Sequence, residues 1–334
     1  MRLFVTGGAG FIGSNFIRHM LATHPDCRVV NFDKLTYAGN LDNLSDVDGH
    51  ADYEFIRGDI CDRNALDAAI DAADAVINFA AESHVDRSIE RAADFIETNV
   101  AGTQVLLDAA RAARVPRFVQ ISTDEVMGSC SDEDYFTEAS PMRPNSPYAA
   151  SKAAAEHLVR AAHITFGLDV VITRASNNYG PYQFPEKLIP LMITNALEGK
   201  ELPVYGDGLN VRDWLYVDDC CRGIDAALHR GRSGEVYNIG SRAEKTNLEV
   251  VGTLLELLGK PPSLIKFVTD RLGHDRRYAT DPAKIESELG WLPQETFESG
   301  IEKTVRWYQD NAGWVARARS GDYLKYYERM YGAR

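Results

Sequence analysis

The first thirteen residues constrain this chain more than any other stretch. Arg2-Leu3-Phe4-Val5 reads as a short apolar strand that runs through Thr6 into Gly7-Gly8-Ala9-Gly10-Phe11-Ile12-Gly13, and a helical pattern follows from Ser14 to about Ala22. Strand, glycine turn and helix stand in the order that a dinucleotide-binding unit requires. Gly7 allows the tight turn, Gly10 lets the backbone approach a pyrophosphate, and Gly13 lets the helix pack close to the strand. Amide groups at the helix start then face the phosphates. The next apolar strand, Arg28 to Phe32, ends in Asp33, twenty residues past Gly13. An acid there accepts hydrogen bonds from the adenosine ribose hydroxyls and repels a 2′-phosphate, which favours NAD over NADP. Lys34, next in the chain, softens that preference in principle.

Further strands are predicted at Tyr53 to Arg57, Ala75 to Phe79, Phe118 to Ile121 and Asp169 to Arg174, with long helices at about Ala92 to Ala113 and Tyr148 to Phe166. The alternation specifies an α/β fold: a Rossmann-type doubly wound parallel sheet with a smaller α/β substrate domain C-terminal to it. A chain of 334 residues exceeds one domain of about 150. The expected division is an NAD-binding domain over 1–175, with catalytic residues at its strand tips, and a mainly substrate-binding domain over 176–334, some of which returns to the first. In that second part, Leu202 to Gly206 and Val211 to Val217 read as short strands joined by a turn. Asn247 reads as the cap of a helix Leu248 to Leu258, and Phe297 to Tyr331 as helices rich in Tyr and Trp.

A net charge of −13 argues against a nucleic-acid or anionic-membrane surface. There is no apolar run long enough to span a membrane, and the chain opens directly on a strand without a signal peptide. The five cysteines are scattered and lack metal spacing, so a reducing cytoplasm and no metal are expected.

The chemistry concentrates at one strand tip. The apolar run Phe118-Val119-Gln120-Ile121 stops at Ser122-Thr123-Asp124-Glu125. Ligands of open α/β sheets bind beyond the carboxyl ends of the strands, and two adjacent carboxylates there are costly unless chemistry uses them. A polar loop leads to Tyr148-Ala-Ala-Ser-Lys152, whose ends share one helical face. An ammonium beside a phenol favours phenolate, so Tyr148 is expected to have a lowered pKa and to act as a base. At the other strand tips, Asp59 and Ile60 suit an adenine edge, and Ala80 and Ala81 let a cofactor lie against backbone. His84 reads equally as a solvated loop histidine or a substrate contact.

With these segments together, the sequence resembles the extended short-chain dehydrogenase/reductase superfamily and, within it, the dTDP-glucose 4,6-dehydratases. The resemblance rests on the glycine turn, Asp33 with Leu35-Thr36-Tyr37-Ala38-Gly39-Asn40, and Ala80-Ala81-Glu82-Ser83-His84-Val85-Asp86-Arg87-Ser88. It rests also on Thr123-Asp124-Glu125, Tyr148-x-x-x-Lys152, Ser176-Asn177-Asn178-Tyr179-Gly180-Pro181 and Arg212-Asp213-Trp214. The glycine turn and the Tyr/Lys pair mark only the superfamily, whereas the Thr-Asp-Glu triplet is the specific part. One departure stands at position 127, a methionine where the family commonly has tyrosine.

The resemblance implies oxidation at C4 of the glucose, loss of water across C5 and C6, and hydride return to C6, with NAD retained and regenerated. Tyr148 would take the 4-hydroxyl proton, Thr123 would bond that oxygen, Glu125 would take the C5 proton, Asp124 would protonate the leaving hydroxyl, and Lys152 would support Tyr148. Cofactor contacts are implied for Gly7, Gly10, Phe11, Ile12, Gly13, Asp33, Lys34, Thr36, Asp59, Ile60, Ala80, Ala81, Ser83, Asn99, Tyr148, Lys152 and Asn178. Besides the triplet, the substrate dTDP-glucose would meet Ser83, His84, Arg87, Asn177, Lys187, Leu188, Pro203, Tyr205, Arg212, Asn247, Arg271, His274 and Tyr278. A homodimer through the helices Ala92–Ala113 and Pro147–Phe166 is likewise implied. Three alternatives stay open: a dehydratase for a UDP- or CDP-linked sugar, a nucleotide-sugar epimerase, and a cofactor-binding regulatory protein that has lost catalysis.

Overall fold

The computed structural model describes residues 1–319 together with Tyr327 and Arg329. The strands are β1 (Arg2–Thr6), β2 (Arg28–Asp33), β3 (Tyr53–Arg57), β4 (Ala75–Asn78), β5 (Arg117–Thr123), β6 (Val170–Ala175), β7 (Asn177–Tyr179), β8 (Leu202–Tyr205), β9 (Val211–Tyr216), β10 (Val236–Ile239), β11 (Glu244–Thr246) and β12 (Ile265–Val268). The helices are α1 (Phe11–Thr23), α2 (Arg63–Ala69), α3 (Val85–Glu90), α4 (Ala92–Phe95), α5 (Thr103–Ala112), α6 (Pro147–Phe166), α7 (Leu188–Leu197), α8 (Val217–Arg230), α9 (Asn247–Leu258), α10 (Ala283–Leu289), α11 (Phe297–Asp310) and α12 (Ala312–Ala318).

The main sheet runs β3-β2-β1-β4-β5-β6-β10, with neighbouring strands parallel. The order reverses between β1 and β4, which opens a crevice at their carboxyl ends. Alternate residues of each strand feed opposite layers. Leu3, Val5, Ile77, Val119 and Tyr237 pack on one face against Phe16 and Met20 of α1 and Ile224 of α8. Phe4, Val30, Val76, Phe118 and Ile172 pack on the other against Leu66 of α2, Leu106 of α5 and Val159 of α6. Such buried aromatic and aliphatic side chains contribute about 1.5–3 kcal/mol each. A separate core joins α7, β8, β9, α9 and α11 around Tyr179, Met192, Val204, Trp214 and Leu254. Among the described residues no helix is long and apolar enough to cross a membrane, and all five cysteines are free thiols.

The structure differs from expectation in four places. The catalytic strand does not stop at Ile121, because β5 stays paired to β6 through Thr123. The long helix from Ala92 is broken by a π-helical segment, Ile96–Gly102. That wider turn brings Asn99 against the backbone of Glu82, to whose N–H and C=O its side chain bonds at 2.8 and 2.9 Å. Strands β8 and β9 do not pair with each other. Gly206 and Gly208 between them hold φ of +57° and +72°, which redirects the chain so that β8 pairs with β12 and β9 with β7 and β11. The α9 cap is Thr246, not Asn247: Thr246 and Glu249 form a reciprocal capping box. The expected helical tail forms α11 and α12, and its remainder to Tyr331, apart from Tyr327 and Arg329, lies outside the described residues.

Candidate active site

The glycine turn makes the floor of a cleft of about 300 Å³. Gly7 has φ +70°, and a β-carbon there would come within 2.5 Å of the Ala80 nitrogen. One on Gly13 would come equally close to the Gly7 carbonyl oxygen, whereas one on Gly10 would meet only that oxygen, at 3.3 Å. The turn thus packs tightly on two sides and opens on the third. Gly10 caps α1 with no side-chain acceptor, which leaves the first amides of a thirteen-residue helix for an anion. Asp33 is buried at the tip of β2, where one oxygen accepts from Ala9 N–H at 2.9 Å and the other from Leu35 N–H at 2.8 Å. Lys34 is drawn away into an ion pair with Asp59 at 2.6 Å, so its charge does not offset Asp33.

Gly7, Gly10, Phe11, Ile12, Gly13, Asp33, Lys34, Thr36, Asp59, Ile60, Ala80, Ala81, Ser83, Asn178, Tyr148 and Lys152 all line the cleft. Asn99 does not. It is buried behind the wall, tied to Glu82 and to Ser151 Oγ at 2.9 Å. The π-helical segment turns its side chain to the β4–α3 loop.

The expected catalytic residues, Thr123, Asp124, Glu125, Tyr148 and Lys152, line the same cleft. Ser146 caps α6 by accepting from Ala149 N–H, Pro147 occupies the first turn, and Gly167 ends the helix at φ +70°. This fixes Tyr148 and Lys152 one turn apart facing β5. Thr123 caps a short 3₁₀ turn, Asp124–Met127, by accepting from Glu125 N–H at 3.3 Å. Its hydroxyl also lies 3.3 Å from Asp124 Oδ1. The Lys152 ammonium donates to the Ile121 carbonyl at 2.6 Å, and burial pulls its pKa down to about 8.

Tyr148 departs from expectation. Its phenol is held well above the ordinary range, first by burial and then by Glu125, with only the Thr123 hydrogen bond opposing. Lys152 donates one N–H to a backbone carbonyl, and the charges that act on the phenol are the carboxylates of Glu125 and Asp124. A cation bound in the cleft would work against that rise.

Those two carboxylates differ. Asp124 is 1% exposed. Burial raises its pKa well above the usual value, Glu125 and Asp213 raise it further, and Arg212 is the cation that opposes. Glu125 is also raised by burial, but Arg271, Lys187 and Arg212 all pull it back. Neighbouring acids in unlike surroundings take opposite protonation states. Burial thus favours the proton on Asp124, while three cations favour the charged form of Glu125. Asp213 belonged to a quoted motif but was given no role. It is buried beneath the site, accepting from Ser241 and Ala243 N–H at 3.0 and 2.9 Å.

The remaining expected substrate residues divide. Asn177 and Lys187 line the cleft with Ser83, and Lys187 donates to the Ser83 carbonyl at 2.8 Å. Arg212 and Arg271 stand close enough to Glu125 to act on its charge, and so does Tyr278. Arg212 lies over the Tyr278 ring at 4.2 Å and donates to the carbonyls of Val211 and Asp275. Tyr278 donates to Asp275 at 2.6 Å. His84 is not a solvated loop residue: it is buried, and burial beside Lys187 keeps it neutral. Arg87 pairs with Glu186 at 3.0 Å and covers the Tyr37 ring at 3.8 Å. His274 meets Asp270 at 2.7 Å and Tyr205 edge-on at 6.3 Å. His84, Arg87, Leu188, Pro203, Tyr205, Arg212, Asn247, Arg271, His274 and Tyr278 lie outside the cleft lining; Pro203 and Tyr205 belong to β8, which pairs with β12. Glu186, Gln183 and Phe184 do line it. The sequence expectation names Lys187 and Leu188 in this stretch and none of these three.

Buried atoms with no partner mark where a polar ligand fits. Ser122 Oγ, Asp124 Oδ2 and Asn177 Oδ1 are such atoms, and each belongs to a residue of the cleft. Leaving one unmet costs about 1–3 kcal/mol, which a bound hydroxyl-rich ligand removes.

Glycine turn, ribose-facing acid and a Tyr/Lys pair beside an acid pair define a nucleotide-sugar dehydratase site. The chain belongs to the GDP-mannose 4,6 dehydratase family, whose model matches residues 4–304. It is 54% identical over 345 residues to a dTDP-glucose 4,6-dehydratase of Neisseria meningitidis serogroup B, covering 96% of this chain and 97% of that one. A solved dTDP-glucose 4,6-dehydratase of Streptomyces venezuelae with NAD bound superposes with a TM-score of 0.93 at 55% identity, over 95% and 100% of the two chains. The UDP-glucose 4-epimerase of Thermus thermophilus, also with NAD, reaches 0.86 at 32%, over 93% and 100%. The fold alone therefore leaves dehydration and epimerisation together, and the acid pair separates them.

Proposed function

We propose that this chain is a dTDP-glucose 4,6-dehydratase, a lyase that converts dTDP-glucose to dTDP-4-keto-6-deoxyglucose. The observation that carries the reading is the adjacent acid pair Asp124 and Glu125 at the tip of β5, in the cleft that Thr123, Tyr148 and Lys152 also line. NAD would be held by the Gly7–Gly13 turn at its pyrophosphate, by Asp33 at the adenosine ribose, by Asp59 and Ile60 at the adenine, and by Ala80, Ala81, Tyr148, Lys152 and Asn178 toward the nicotinamide. When bound it accepts a hydride from C4 of the sugar and returns it to C6.

The protein's own groups do the rest. Tyr148 takes the proton of the 4-hydroxyl, and Thr123 holds that oxygen. The C4 ketone acidifies the C5 proton, which Glu125 removes. Asp124 gives its proton to the 6-hydroxyl, which departs as water. Elimination on neighbouring carbons needs acid and base side by side, and an epimerase has no such need. Lys187, Arg212 and Arg271 offer three cations on the small-lobe side of Glu125, which suits a diphosphate. The division into an NAD-binding part over 1–175 and a mainly substrate-binding part over 176–334 belongs to the same reading. So does a reducing cytoplasm, which the five free thiols support.

The test is mass spectrometry of the product after separate incubation with dTDP-, UDP- and CDP-glucose. Loss of one water with dTDP-glucose alone is expected. Water loss only with another base would overturn the nucleotide. An unchanged mass with an inverted C4 would move the chain to the epimerases.

A further inference from the structure

Four side chains from two helices meet at the end of the molecule opposite the cleft. α1 leaves the glycine turn at the carboxyl end of β1 and runs back, so its last turn lies near the amino ends of the strands. There His19, and His24 at the helix cap, face Asp225 and His229 of α8. His19 Nε2 stands 2.8 Å from Asp225 Oδ2, and His24 Nε2 stands 3.0 Å from the same oxygen. The donor atoms of His19, His24 and Asp225 all lie within 4.8 Å of one another. His229 Nδ1 is 2.7 Å from the other carboxylate oxygen, and its ring stacks on His24 at 4.8 Å.

His24 Nε2 also stands 3.1 Å from Asp225 Oδ1, so two imidazole nitrogens and one carboxylate converge on one spot, and such a nitrogen and oxygen donor set is that of a metal site. We propose that His19, His24 and Asp225 bind a divalent transition metal of the zinc class, with water in the fourth position. The donor set argues the class. Imidazole suits zinc, copper and nickel, whereas magnesium and calcium prefer all-oxygen shells. The spacing argues the fit. Ligand atoms about 2.0–2.1 Å from a tetrahedral ion stand about 3.3 Å apart, so the imidazole nitrogens at 2.8 and 3.0 Å from Asp225 must move slightly outward, while all three donor atoms already lie within 4.8 Å of one another. The side chains of His24 and His229 are each 34% exposed, which gives the ion and its water a way in. His229 holds the second oxygen of Asp225 and so sets the direction of the first, as carboxylate-bound neighbours do in metal sites. One carboxylate and two neutral rings leave the loaded site cationic on a chain of net charge −13. The ion clamps α1 to α8 and takes no part in the sugar chemistry.

The experiment strips the full-length protein with chelator, dialyses it against ZnCl₂, and counts zinc per chain while following the melting temperature. One zinc per chain and a raised melting point are expected. Both should vanish in Asp225→Asn and in His19→Gln, each checked for native circular dichroism, with turnover of dTDP-glucose unchanged. Co²⁺ in place of zinc should give a visible spectrum without the thiolate charge-transfer band that a cysteine site would show. No retained zinc in the wild-type protein overturns the proposal. So does zinc that survives both substitutions, or a thiolate band. A melting point that responds to protonation of these histidines, with no zinc retained, would assign the cluster to a charge switch instead.

Discussion

At the scale of single residues, the difference between Asp124 and Glu125 sets what each substitution does. Glu125→Gln keeps Thr123, Tyr148 and Asp124, so oxidation at C4 persists while the C5 proton stays in place. Stopped-flow nicotinamide absorbance should show reduction that does not decay, and water loss should fall about 10²–10⁴-fold. The pH dependence has a definite sign. A carboxyl whose pKa is raised keeps its proton to higher pH, so the elimination step should hold on the acid side and fail as pH climbs through the Asp124 pKa. Asp124→Asn should remove that alkaline limb and most of the water loss with it. The residues proposed for this machinery stand out in the sequence because each occupies a short contiguous pattern: Gly7 to Gly13, Asp33, Thr123 to Glu125, Tyr148 to Lys152. What tunes them was not legible. Asp213 acts on Asp124, and Arg271 on Glu125, from segments far along the chain, and no local spacing records such a meeting. The expected low Tyr148 pKa failed for the same reason. The Lys152 partner is the Ile121 carbonyl, thirty-one positions away.

At the scale of elements, α6 carries more than the Tyr/Lys face. On its inner side Glu156 pairs with Arg174 of β6 at 2.8 Å, and both side chains are at most 3% exposed. Arg174 also reaches the Met127 sulfur at 3.7 Å and the Glu138 carbonyl at 3.3 Å. The departure at position 127 is thus a buried, apolar packing element against Val126, Ala153, Phe136 and Met142, set behind the acid pair and not in the cleft. Removing one partner of a buried pair strands the other charge. Glu156→Gln should therefore cost about 3–5 kcal/mol in urea unfolding, while any active protein that remains keeps the same product. The same reasoning explains the elements that were misjudged. Period and composition locate strands, but pairing is decided by where turns send the chain, and the two left-handed glycines after β8 send it to β12.

At the scale of the whole molecule, α5 and α6 pack side by side on one face of the sheet. Ile89, Ile96, Ile164 and Phe166 stay exposed on this side of the chain. A second copy laid across these helices would cover them, and sedimentation velocity should give twice the monomer mass. Ile164→Glu with Phe166→Glu should halve that mass and leave a folded chain. The position of β10 has a consequence of another kind. It zips onto β6 only after the chain has made its excursion through β7, β8, β9 and α8. During synthesis the β6 margin therefore waits, bare and able to add a foreign strand, until about two-thirds of the polypeptide has left the ribosome. A truncation at residue 175, convenient as it looks for an isolated cofactor unit, makes that waiting state permanent, and such a fragment should precipitate where the full chain stays in solution.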